Sequence, residues 1–210
     1  MQIPTTTNFV DDAVSNLKAK KSAETRRKIV RAFENCVARN GYAQTKLVDI
    51  AEDAGLATPH LRYYFKNKES ILEYQYEQLV AAFEQAVLAI EAEDPIAWFE
   101  ALGHLIFNTG RRRTQAFLVL IEANTLIARS PHMREVKERY DVQTRAAIEV
   151  RARQLGCEDP PAAAVMIFHF LTGLMLNSAF DGREERAAAI PFFLRFVAAL
   201  SEERRASPQG

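Results

Sequence analysis

The 210-residue chain has only two cysteines, Cys36 and Cys157, which lie far apart with no metal-ligand spacing around either. That count excludes a disulfide framework and any site built from clustered thiols. Reduced, partly buried thiols in a cytoplasmic chain are expected, with a redox-sensing pair as the alternative. Glycine and proline are scarce at eight each, while Ala, Leu, Glu and Arg are abundant, so helix is expected through most of the length. No run of alternating apolar and β-branched residues argues for a strand, and the predicted fold class is all-α. Net charge is absent too: 27 basic residues balance 27 acidic ones, which on totals argues against a simple basic nucleic-acid binder. The N-terminus shows no apolar signal core. One segment, 162–180, has no Asp, Glu, Lys or Arg, but it contains His169, Thr172, Asn177 and Ser178 and is marginal in length. It reads as a buried interface helix rather than a membrane span, so no membrane partner is expected. HExxH, CxxC, GxSxG and GxxxxGKS are all missing. No catalytic residue, metal site or cofactor is therefore assigned, and an enzyme is not expected.

What is present is unevenly placed. Residues 1–68 hold 12 Lys and Arg against 7 Asp and Glu, and residues 69–210 hold 15 against 20. A basic head can approach phosphates while an acidic body is repelled from them. The apolar fraction of 48% is enough for a substantial core. Residues 1–22 read as a flexible basic arm, 23–68 as a helix-turn-helix head, and 69–205 as a larger helical bundle. Helix one is predicted over about 23–39, with Ser22 as N-cap, a stripe of Ile29, Ala32, Phe33, Cys36 and Val37, and Asn40-Gly41 as its stop. Helix two is predicted over 45–54 and helix three over 58–64, with the turn at Gly55 between them. A long helix then runs to about residue 91. Helices opened by Pro95, Arg111-Arg112-Arg113, Pro131 and Pro160-Pro161 follow, and the last, about 184–204, carries Pro191 inside it or starts near Ile190.

The segment 45–72, TKLVDIAEDAGLATPHLRYYFKNKESIL, carries the functional signal. A helical hairpin alone does not imply DNA binding. Helix three, however, has Leu61 as nearly its only apolar residue, which leaves Thr58, His60, Arg62, Tyr63 and Tyr64 for other contacts. Their hydrogen-bonding tips and flat bodies suit base edges and phosphates. Lys66 and Lys68 open the next helix, where backbone N–H groups and a lysine charge can hold a phosphate.

Gly41-Tyr42, Thr45, Ile50-Ala51, Ala54-Gly55-Leu56, Leu61, Tyr64-Phe65, Lys68-Glu69 and Leu72 fall in register without a gap. This pattern resembles the TetR family of bacterial transcription regulators over about residues 24–72. Two positions depart from it: Arg62 stands where the family usually has a tyrosine, and Ala57 replaces the usual serine or threonine N-cap, so Thr58 caps one residue later or the helix start shifts. The resemblance implies DNA contacts from Thr58, His60 and Tyr63 on the base side, with Pro59 also among the DNA-binding residues. Arg62, Tyr64, Lys68, Thr45 and Lys46 are the expected phosphate anchors. Tyr64 also has a packing role open to it, and His60 that of a solvent-exposed bystander.

The partners implied are double-stranded DNA carrying a palindromic operator, a second copy of the chain, and a small-molecule effector. A lone head reads too few bases to be selective, so a homodimer is expected through residues 162–180 and 190–204, forming a four-helix bundle. Leu171-Thr172-Gly173-Leu174 is similar to the family's dimer-forming helix. The effector pocket implied by the resemblance would lie in the body. Trp98, His104, Phe107, Asn108 and Phe117 are candidates to line it. Glu122, Asn124, Thr125, Tyr140, His169 and Asn177 complete the set, each with a core or structural role as its alternative. The function expected is a ligand-responsive regulator, most simply a repressor released from its operator by a small apolar or amphipathic molecule. The alternative is a ligand-independent architectural DNA-binding protein whose C-terminal domain binds a protein partner.

Overall fold

A computed structural model of the chain describes residues 6–107, 121–178 and 183–206, with side chains over 19–107, 121–176 and 188–200. Every regular element among the described residues is α-helical. In order these are α1 (Thr6–Gln44), α2 (Leu47–Asp53), α3 (Thr58–Tyr64), α4 (Lys68–Leu88), α5 (Pro95–Phe107), α6 (helical residues 121–127), α7 (Pro131–Gln154), α8 (Pro160–Ser178) and α9 (Arg183–Ala206). They form two compact units divided within α4, a head up to Gln75 and a body from Tyr76 onward. No described helix is long and apolar enough to cross a membrane.

The head is built on the stripe expected for its first helix. Ile29, Phe33 and Cys36 are fully buried, and they share the head's interior with Ile50, Leu61, Phe65, Ile71 and Leu72. Asn35 and Arg39 hold α2 against α1 through the Asp53 carboxylate, at 3.1 and 2.6 Å. Those two bonds, Asn35 first, hold the Asp53 carboxyl below its usual range. Burial pushes the Cys36 thiol up, so it stays protonated. The α2–α3 turn is a Schellman motif: Gly55 has φ 62°, its N–H bonds the Glu52 carbonyl, and the Leu56 N–H bonds that of Ala51 at 2.8 Å. Gly156 (φ 78°) ends α7 in the same way.

The arm expected over residues 1–22 is replaced by helix from Thr6 onward. Residues 11–23 hold no glycine or proline and include three Ala and three Lys, so nothing interrupts helical propensity there, and Ser22 lies inside the helix instead of capping it. Asn40-Gly41 does stop the helical geometry: Gly41 takes φ 74° and ψ 158°, and one further turn reaches Gln44. Helix α2 is shorter than expected because Lys46 takes the cap position, its N–H bonded to Asp49 Oδ2 at 3.0 Å. Helix α9 continues through Pro191.

In the body, α5 packs against α9 and α7 against α8. Phe99, Leu102, Ile148, Ile167, Phe193 and Val197 form the dry centre. The helix starts are fixed by side chains one residue before each proline. Asp94 accepts from the Ala97 N–H at 2.7 Å, Ser130 from that of Met133 at 3.3 Å, and Asp159 from that of Ala162 at 3.0 Å.

Candidate nucleic-acid interface and body cavity

Helix α3 has one anchored residue. Leu61 is fully buried, whereas Pro59, His60, Arg62 and Tyr63 are exposed, Tyr63 at 81%. Its first residue, Thr58, is half-buried. Ala57 occupies the N-cap position without a side-chain cap, and Pro59 falls in the first turn where its missing N–H is harmless. Tyr64 is half-buried, as its packing role requires. Its ring meets those of His60 and Tyr63 at 5.5 and 5.2 Å, and the Arg26 guanidinium lies 5.8 Å away over its face. The same guanidinium covers Phe65 and Tyr74 at 5.3 and 5.5 Å. Sequence reasoning missed Arg26, which reads there as one of several charges on an exposed helix face. Lys46 is exposed at the start of α2, as a phosphate contact requires.

Two expected phosphate anchors are corrected by their surroundings. Thr45 is buried, and its hydroxyl donates to the Gly41 carbonyl at 2.8 Å. Lys68 Nζ donates to the carbonyls of Tyr42 (2.8 Å), Ala43 (3.2 Å) and Thr45 (3.3 Å) and lies 4.5 Å from the Tyr42 ring centroid. Both side chains satisfy carbonyls that the broken end of α1 leaves without helical partners. Their role is to fix the loop that leads into α2.

The body holds a cavity of about 170 Å³. Tyr76, Phe83, Tyr140, Phe168 and Met175 give it largely aromatic walls, with Asn124, Lys137, Asp141 and Thr172 as its polar points. A lobe of about 20 Å³ adjoins it between Phe83, Tyr140 and Phe168 and reaches Leu102 and Ile106. Lys137 and Asp141 form an ion pair one helical turn apart on α7 through Asp141 Oδ2. The other oxygen, Oδ1, is buried without a hydrogen-bond partner among the described residues. Burial pushes the Tyr76 phenol up to about 12 and the Tyr140 phenol higher still, so both are neutral donors at neutral pH.

Of the residues expected to line a pocket, Asn124 and Tyr140 do so. Trp98 and Phe107 belong to the packed core, and Arg151 covers the Trp98 ring at 5.4 Å. His104 is exposed beside Glu100 at 3.9 Å, and Thr125 and His169 are exposed too. Glu122 is half-buried outside the lining. Asn108 and Phe117, the Arg111-Arg112-Arg113 run and the Asn177 side chain lie outside the described residues. Tyr76, Lys137, Asp141 and Phe168 were missed. Among the described residues no group of three or more His, Cys, Asp or Glu side chains is placed to hold a metal ion.

With this geometry in place, residues 29–74 match the profile of the family described as "Bacterial regulatory proteins, tetR family". The head of the chain is a TetR-type regulatory domain over those residues. The HTH-type transcriptional regulator TtgR of Pseudomonas putida is 31% identical over 92 residues, 42% of this chain and 44% of TtgR. The aligned segment thus spans less than half the length of that relative. A TetR transcription regulator from Haloarcula marismortui superposes with a TM-score of 0.73 at 17% identity, over 85% of this chain and 98% of that one. A regulator from Saccharomonospora viridis, solved in complex with choline, gives 0.64 at 21% identity over 86% and 96%. At these identities the two structures establish a shared fold and nothing further.

Proposed function

We propose that this chain is a homodimeric, DNA-binding transcriptional regulator that occupies a palindromic operator as a repressor and leaves it when a small molecule enters the body. The observation that carries the reading is the outward face of α3, where Pro59, His60, Arg62 and Tyr63 are exposed on a helix whose one fully buried residue is Leu61. A short helix of this kind fits the major groove, and arginine and histidine tips reach base edges or phosphates. The matched TetR profile covers residues 29–74 of this head.

Pairing is supported by an apolar face on α8 and α9. Val165, Met166 and Phe192 are exposed, and Phe170 stacks on Phe192 and Phe196 at 6.0 and 4.3 Å. Covering that face with a symmetry mate removes it from water and supplies the second head that a palindrome requires. Release by a small molecule is supported by the walled cavity in the body, which the architectural alternative does not need. An effector acts there by binding one of two dimer geometries better than the other.

Selection of bound duplexes from a random pool, followed by footprinting, tests the reading. Two protected half-sites about 34–36 Å apart are expected. Arg62→Ala and Tyr63→Ala should weaken binding roughly 5- to 150-fold, as for loss of 1–3 kcal/mol per contact, with the unfolding midpoint unchanged. No duplex enriched at low ionic strength, or full affinity in both variants, refutes it.

A further inference from the structure

We propose that the body cavity takes an uncharged molecule of about one aromatic ring bearing a hydroxyl or N–H group, and that this group donates a hydrogen bond to Asp141 Oδ1. The inference rests on the effector-binding reading above and specifies its chemistry.

The carboxylate supplies the first argument. One Asp141 oxygen is engaged by Lys137, while the other, Oδ1, is buried with no hydrogen-bond donor among the described residues. A buried acceptor without a partner is a standing penalty, and an incoming hydroxyl or N–H removes it with a charge-assisted bond. The charge balance supplies the second. Lys137 and Asp141 leave the lining neutral as a pair, so a ligand carboxylate meets Asp141 and a ligand ammonium meets Lys137. Two charges of opposite sign stand outside the lining, and Glu84 Oε1, like Asp141 Oδ1, is buried without a hydrogen-bond partner among the described residues. Glu84 acts on the Tyr140 hydroxyl, and the Arg145 guanidinium lies 6.0 Å from the Phe168 ring centroid. Tyr76 and Tyr140 add no charge because burial keeps both phenols protonated. Either ion would therefore surrender its hydration for a site that offers no net compensation.

Shape supplies the third argument. Tyr76, Phe83, Tyr140 and Phe168 present aromatic faces or edges, and the Met175 thioether adapts to a ring edge. An apolar cavity of ~150 Å³ holds benzene. At about 170 Å³ this one holds a single ring with one or two small substituents.

The test is calorimetric titration of the full chain, without DNA, at pH 7. Four probes share one scaffold: 4-methylphenol, p-xylene, 4-methylbenzoate and 4-methylbenzylammonium. The phenol is expected to saturate one site per chain and to bind roughly 10-fold or more tightly than p-xylene, the return expected for one hydrogen bond to a charged group. Both ions should bind more weakly than the phenol. Asp141→Leu should bring the phenol down to the level of p-xylene and leave p-xylene unchanged. Equal binding of phenol and p-xylene, tighter binding of either ion, or no saturation by the phenol overturns the proposal. Retention of phenol affinity in a folded Asp141→Leu protein does the same. Should that variant not fold, the phenol and p-xylene comparison on the unsubstituted chain decides alone. Because no DNA enters the titration, its failure leaves the operator reading to be judged by footprinting.

Discussion

Replacing Lys68 by methionine separates two roles that its position allows. An ammonium has three donors, and here all three are used, on the Tyr42, Ala43 and Thr45 carbonyls at 2.8, 3.2 and 3.3 Å. A net hydrogen bond contributes about 0.5–1.5 kcal/mol, and the half-exposed site lets water take up part of the loss. The contact over the Tyr42 ring adds about 0.5–1 kcal/mol. The methionine stem preserves packing, so the substitution should cost the head about 2–4 kcal/mol through the ammonium alone. The body is a separate compact unit, so a single global midpoint is a poor readout. Native-state amide exchange resolves the head by itself. Amides of α2 and the buried side of α1 should lose protection by roughly 30- to 700-fold while those of α7 and α8 do not change. Unchanged protection together with a DNA-binding salt slope shallower by about 0.9 would refute the reasoning, since it would mean that the charge is spent on a phosphate.

Further outcomes are expected elsewhere in the molecule. Gly103→Ala should stabilise the body by about 0.5–1 kcal/mol, because a Cβ there meets Ile190 and Phe193 at an ordinary 3.5 Å and the helix gains propensity; a lower thermal midpoint would contradict this. Phe193→Ala should cost about 3–5 kcal/mol by emptying a fully buried site, measured by urea unfolding. Cys36 should react slowly with Ellman's reagent at pH 8 in the native protein, since it is fully buried and its thiol is held protonated; fast reaction of this cysteine would show an open head. Tyr76 favours its neutral form in the fold, so the unfolded chain ionises first, near pH ~10. Its share of stability is intact below that pH and is lost as pH rises toward about 12. Tyr76→Phe should therefore flatten the alkaline decline in the unfolding midpoint, and an identical decline in the variant would refute the assignment.

The parts of this protein legible in the sequence are those governed by local rules. The bounds of α3 were read correctly because Pro59 suits only a first turn and Gly55 only a sharp reversal, and the apolar period placed Ile29, Phe33 and Ile50 inside. The site residues that escaped depend on tertiary placement. Lys68 has the composition of a phosphate ligand, and only the broken end of α1 turns it inward. Lys137 and Asp141 stand in a helix crowded with charge, where an i, i+4 pair reads as solvated surface. Trp98 and Phe107 were drawn into the expected pocket by their aromatic character, which serves a packed core equally well. The N-terminal extension of α1 went unread because a basic, threonine-led start resembles a tail, although its propensity is helical.

Because α3 is held by Leu61, the half-buried Tyr64 and its flanking Schellman turn, the side chains that face outward carry little of the packing that holds the head together. On the proposed reading, exchanging them should alter which operator is preferred and leave the stability of the head almost untouched. On that reading, operator choice and structural integrity would then be under separate control, so outward residues could change one at a time without unfolding the head.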